Sequence, residues 1–156
     1  MVIAGAPARS EADYAPYIAG RQNVELIFGR TYDILKYADA AIINSGTASL
    51  EAALIGTPQV VCWSGSGLTV FVARHIFRVG DHLSHISLGN LIVGREAFRE
   101  LIQEDFTADA VVAEVRRLTG DDAYRARMMF DYADIRSALG GTGASRAVAR
   151  EMIKLL

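Results

Sequence analysis

Cysteine occurs once in these 156 residues, proline and histidine three times each, and neither sign of charge dominates. A single cysteine, Cys62, cannot close an internal disulfide. It lies in the apolar run QVVCW, reads as a buried thiol, and fits a cytoplasmic protein. The histidines (His75, His82, His85) include an HxxH spacing at 82–85, but no acidic or cysteine companions stand at ligand spacing. No metal is expected, and they read as surface or loop residues. A net charge of -2 gives no basic excess with which to hold nucleic acid. No apolar run approaches the ~20 residues of a membrane span, and Met1 is not followed by a charged, then apolar, signal pattern. Internal repeats and low-complexity tracts are also missing. What the chain has in quantity is hydrophobic residues, 51% of it. At this length they suffice for one domain that buries roughly two-thirds of its unfolded surface.

The first half alternates apolar strands with helices. Strands are expected at 1–6, 24–28, 39–44 and 59–63. Helices are expected at 10–19, 31–38 and 48–55, the last closed by Gly56. Strands apolar throughout and separated by helices predict a parallel sheet covered on both faces, an α/β fold of Rossmann-like type. After SGSG at 64–67 the pattern changes. LTVFVARHIFR reads as a helix with Arg74 and Arg78 on one face, and 82–94 as an irregular strand or extended loop. Helices are expected at 96–103, 108–118, 123–139 and 144–156, so residues 96–156 form a helical tail on a single domain. The GGTGAS run at 140–145 lacks the Lys–Ser/Thr pair of a P-loop and follows a helix, so it reads as a helix end and a new start.

The stretch NSGTASLEAALIG carries the most chemistry. An apolar strand runs into Ser45–Gly46–Thr47, then into a helix with Glu51 about one turn further on. In open parallel sheets, ligands bind beyond the carboxyl ends of the strands. Gly46 lets a ligand approach the backbone, the first helical amides favour an anion such as phosphate, and Ser45 and Thr47 add hydroxyl donors. Glu51 would repel that anion if it faced it, but is well placed to accept hydrogen bonds from sugar hydroxyls. The plainer alternative is a helix cap. Its weak point is register, because Glu51 stands three residues after Ala48 rather than after a Ser or Thr.

The order SGTASLEAALIGTPQVV, a basic helix, ISLGNLIVGREAFRELIQED and a late GGTGAS resembles the C-terminal half of the lipid-A-disaccharide synthase family from about Val2 onward. That family consists of glycosyltransferases with two Rossmann-like halves, which join UDP-diacylglucosamine to diacylglucosamine 1-phosphate and release UDP. The resemblance implies that Ser45, Gly46 and Thr47 face the donor's diphosphate and that Glu51 binds the ribose hydroxyls. Asn90, Arg95 and Gln103 would stand near the same site. No cofactor is implied. Gly89 stands where many members have proline, which predicts a looser local backbone.

Two departures from the family shape the expectations. Its N-terminal half, expected to supply the acceptor site and the catalytic base, is not within these residues, so the chain alone is expected to be inactive. The C-terminal half's own first strand is also missing. In the order 3-2-1-4-5-6 that strand is central, so a gap is expected between strands 1–6 and 39–44. Arg74 and Arg78 could touch anionic lipid at the inner face of a membrane, or form the solvated edge of an ordinary amphipathic helix. The last helix's apolar positions (Val148, Met152, Ile153, Leu156) would face a surface this chain lacks, which predicts a homo-oligomer. Rival readings are another UDP-sugar enzyme such as a 2-epimerase, and a non-catalytic interaction module indifferent to Glu51.

Overall fold

The computed structural model describes residues 1–44, 46–65, 85–140 and 143–154, and only the backbone of 144–147. Element numbering below runs over these residues. The first half reads β1 (Val2–Gly5), α1 (Glu11–Ile18), β2 (Glu25–Phe28), α2 (Thr31–Tyr37), β3 (Ala41–Asn44), α3 (Thr47–Ile55) and β4 (Gln59–Trp63). The second reads α4 (Leu88–Val93), β5 (Glu100–Ile102), a 3-10 turn (Gln103–Asp105), α5 (Ala108–Gly120), α6 (Asp122–Leu139) and α7 (Ala144–Lys154). Every strand pairing is parallel, as the alternating pattern predicts. β4 is flanked by β3 and β5, and its Gln59, Val60, Val61 and Cys62 are all buried. That is the signature of a strand covered on both faces.

The expected gap is present. Among the described residues β1 pairs with β2 in one sheet and β3–β4–β5 form another, with no pairing between β1 and β3. The larger core lies around β4, where Ala53, Val60, Val61, Phe98, Leu101, Leu118, Met128, Tyr132 and Ile135 pack together. A smaller cluster of Leu35, Ile43 and Ala52 joins α2, β3 and α3. Buried hydrogen bonds stitch these layers. Gln59 Nε2 donates to the Ser49 carbonyl (2.8 Å) and to Tyr132 Oη (3.1 Å), and Tyr132 Oη donates to the Thr57 carbonyl (3.1 Å). Burial pushes the Tyr132 phenol and the Cys62 thiol above their ordinary pKa values. From α6, Arg136 donates to the last carbonyls of α3, those of Ala53 and Leu54.

Three expectations need correction. Residues 96–103 are not helical, because 100–102 form β5, paired with 61–63 of β4. Within 82–94 the segment 88–93 is a helix, started after Ser87 and closed at Gly94. The helical second half packs into the core through Leu118, Met128, Tyr132 and Ile135 of α5 and α6. Gly89 is not a loose spot. A Cβ there would stand 2.7 Å from Phe98 Cε1 and 3.2 Å from Ile135 Cδ1, so close packing on α4 requires glycine. The helix expected around Arg74 and Arg78, with His75 and His82, lies outside the described residues, as do Ser45 and Leu156.

Candidate functional site

β3 ends at Asn44, and Gly46 then takes φ 145°, ψ -161°, a conformation that L side chains rarely adopt. A Cβ on Gly46 would meet nothing within 4 Å, so the turn needs glycine for its dihedrals and presents open backbone to solvent. Thr47 opens α3, no side chain among the described residues caps the helix, and its first turn holds no acid. The hydroxyl nearest the turn that is recorded in a hydrogen bond belongs to Ser49, which donates to the Gly46 carbonyl at 2.8 Å and so braces the turn from behind. The cap-only reading therefore fails for Thr47, which lies inside the helix. The first-turn amides of an α-helix lie at its positive end with the dipole behind them, and in α3 Ser49 N already reaches the Gly46 carbonyl at 3.4 Å.

Glu51 is half-buried on the next turn of α3 and faces the turn that leaves β2. Gly29, Arg30, Thr31, Tyr32 and Asp33 together with Glu51 line an open cleft of about 420 Å³. Across it Tyr32 Oη donates to Glu51 Oε1 at 3.2 Å. This hydrogen bond and the nearby carboxylate raise the Tyr32 phenol above its ordinary pKa. Arg30 Nε donates to Asp33 Oδ2 at 3.0 Å on the same rim. The sequence analysis did not single out Arg30 or Tyr32. The signal was available, since GRTYD directly follows the strand ELIF and so leaves its carboxyl end.

The remaining expected site residues divide. Gln103 sits at the carboxyl end of β5 with φ 53°, an uncommon conformation for a residue other than glycine. Its side-chain amide reaches the loop leaving β4: Oε1 accepts from Gly65 N (3.0 Å) and Nε2 donates to Gly65 O (3.4 Å). It therefore fixes one strand exit relative to its neighbour. Asn90 is fully buried. Its Nδ2 donates to Phe98 O (2.9 Å) and Glu100 Oε1 (3.0 Å), while Oδ1 accepts from Ala97 N (2.8 Å) and Phe98 N (3.2 Å). Glu100 is buried beside it and also accepts from Ile86 N, Ser87 N and Ser87 Oγ. His85, expected at the surface, has its side chain mostly buried, with Nδ1 3.8 Å from Glu100 Oε2. The Arg95 guanidinium is committed to α6, at 2.6 Å from Asp131 Oδ1 and also on Asp134. The structure thus brings Gly46, Thr47 and Glu51 together on α3, and places Asn90 and Arg95 within packing contacts.

The lipid-A-disaccharide synthetase family model matches residues 17–148. The lipid-A-disaccharide synthase of Anaeromyxobacter dehalogenans strain 2CP-C is 36% identical over 158 residues, which cover 100% of this chain and 40% of the relative. That of Geobacter sulfurreducens is 35% identical over 157 residues, again 100% of this chain and 40% of the relative. That of Acidobacterium capsulatum is 43% identical over 116 residues, 74% of this chain and 28% of the relative. The chain spans about 40% of the length of the first two. A match over most of the chain, on a parallel α/β fold with the SGTASLE turn at a strand's carboxyl end, leads to one conclusion: this chain belongs to the lipid-A-disaccharide synthase family.

Proposed function

We propose that this chain is the donor-binding part of a glycosyltransferase that joins UDP-diacylglucosamine to diacylglucosamine 1-phosphate in lipid A synthesis. The observation that carries the reading is the pairing on α3 of a glycine-opened first turn with Glu51 facing the 420 Å³ cleft. Ser45, Gly46 and Thr47 receive the diphosphate, where helix amides and dipole favour negative charge. Glu51 accepts hydrogen bonds from the ribose. It is set far enough along the helix that the two anionic groups do not compete for the same amides. Gln103 holds the β4 and β5 exits at the edge of this site. Asn90 acts at one remove, by tying α4 to the segment 97–100 that leads into β5, and Arg95 by fixing the end of α4 to α6.

Transfer of the sugar also requires a base for the acceptor hydroxyl and a pocket for a lipid acceptor. Neither is assigned to the described residues, so the reading gives this chain donor binding without turnover. The test is calorimetric titration of the purified chain with UDP, beside Glu51→Ala. A carboxylate that accepts hydrogen bonds from two hydroxyls predicts a loss of roughly 10- to 100-fold in affinity, on the order of 1.5–3 kcal/mol. Equal affinity in the two proteins would sink the ribose assignment. A folded chain that binds no UDP would favour an interaction module instead.

A further inference from the structure

Tyr32 stands out among the groups that the donor reading leaves unused. It lies on the first turn of α2, 61% exposed, yet its phenol is aimed across the cleft at the one carboxylate assigned to the ligand. The two residues are 19 apart in sequence, so the contact ties α2 to α3 through the floor of the cleft. Among the described residues, Tyr32 is the side chain recorded as donating to Glu51. A phenol O–H on a carboxylate oxygen occupies the same acceptor position that a ribose hydroxyl would take. Both cannot donate along the same lone-pair direction.

We infer, on the basis of the donor-site reading above, that Tyr32 is a placeholder for the ribose: its hydroxyl holds Glu51 across the cleft and has to leave when a vicinal diol binds. Tyr32 is then a specificity-determining residue that acts against the ligand. It keeps Glu51 ordered and hydrogen-bonded, and it releases the carboxylate only to a group that replaces that bond. A nucleotide without the diol leaves the Tyr32–Glu51 pair intact and gains nothing from Glu51. The pair is exposed, so its removal does not open a hole in the core, and Tyr32→Phe keeps the ring.

Apparent affinity is reduced by the fraction of protein whose acceptor is free. A solvent-exposed hydrogen bond of ordinary net strength leaves Glu51 free for roughly one-sixth to one-third of the time. The experiment is titration of the chain, of Tyr32→Phe and of Glu51→Ala with UDP and with 2′,3′-dideoxy-UDP. Tyr32→Phe should bind UDP about three- to sixfold more tightly than the unaltered chain and dideoxy-UDP with the same affinity. Unchanged or weaker UDP binding by Tyr32→Phe, with Glu51→Ala still impaired, would overturn the placeholder while leaving the donor site standing. The same gain for both nucleotides would overturn it too, because release of Glu51 matters only to a diol. If Glu51→Ala binds UDP like the unaltered chain, the ribose assignment and the placeholder fall together, and if the unaltered chain binds none, the donor reading falls with them.

Discussion

Glu51 and Glu100 are both carboxylates set against the sheet, and their surroundings assign them opposite duties. Glu100 is buried and saturated by backbone and side-chain donors from residues 86–90, so nothing of it remains for a ligand. Glu51 is half-buried, opens onto a cleft, and has a phenol that can move away. Asn90 belongs with Glu100. Asn90→Ala would remove four hydrogen bonds and strand the Phe98 amide in the interior, while Ala97 N keeps the Arg95 carbonyl. Unsatisfied buried groups of this kind predict a loss of about 2–4 kcal/mol in stability, read as a lower urea midpoint. A midpoint unchanged by the substitution would return Asn90 to the list of ligand contacts. The Tyr32–Glu51 pair makes a separate prediction. The hydrogen bond and charge of Glu51 raise the Tyr32 phenol above its usual value of 10.0. Its stabilising effect is therefore complete below the unfolded value and lost as pH rises through the folded one. In Glu51→Gln the phenol should ionise at lower pH than in the unaltered chain. The measurement is tyrosinate absorbance, with the matching Tyr32→Phe protein subtracted.

At the scale of elements, the βαβ half was legible because its strands are continuous apolar runs and its helices end at glycine or at the next strand. The SGTASLE turn could be placed for the same reason. The second half was misread where tertiary pairing overrides local preference. REAFRELIQED is rich in Glu, Ala, Leu and Gln, good helix formers, yet its middle becomes β5 because β4 offers it a parallel edge. Residues 82–94 read as an irregular strand or extended loop, although Ser87 and Gly94 bracket the helix at 88–93. The Glu51 cleft was half legible, since the carboxylate could be found from spacing and its partner on α2 needed the fold. Two glycines test the packing of these helices in opposite directions. Gly89→Ala drives a methyl into Phe98 and should cost about 1–3 kcal/mol by overpacking. Gly120, at the end of α5, has nothing within 4 Å of a built Cβ and no positive φ. Gly120→Ala should therefore be neutral or stabilising by about 0.5–1 kcal/mol. Paired thermal melts decide both, and a destabilised Gly120→Ala would mean that α5 does not continue to its assigned end.

Over the whole molecule the governing feature is the division into two parallel sheets. Glu25 N donates to Met1 O, which turns Met1 and Ile3 toward β2 and leaves the backbone groups of Val2 and Ala4 facing away. Ala41 N donates to Pro58 O, and by the same alternation Ile42 and Asn44 turn theirs away from β4. Parallel strands are normally covered on both faces, yet Ile42 is 54% exposed. Val148, Met152 and Ile153 on α7 are also exposed, so among the described residues a strand edge without a partner and an apolar helix face are the two candidate surfaces for self-association. The two sources separate by substitution. If the strand edge dominates, Ile42→Lys should shift the purified chain toward monomer in sedimentation velocity, while Met152→Lys with Ile153→Lys leaves the distribution in place. The reverse result would assign association to α7. A chain that sediments as a monomer before any substitution would refute both.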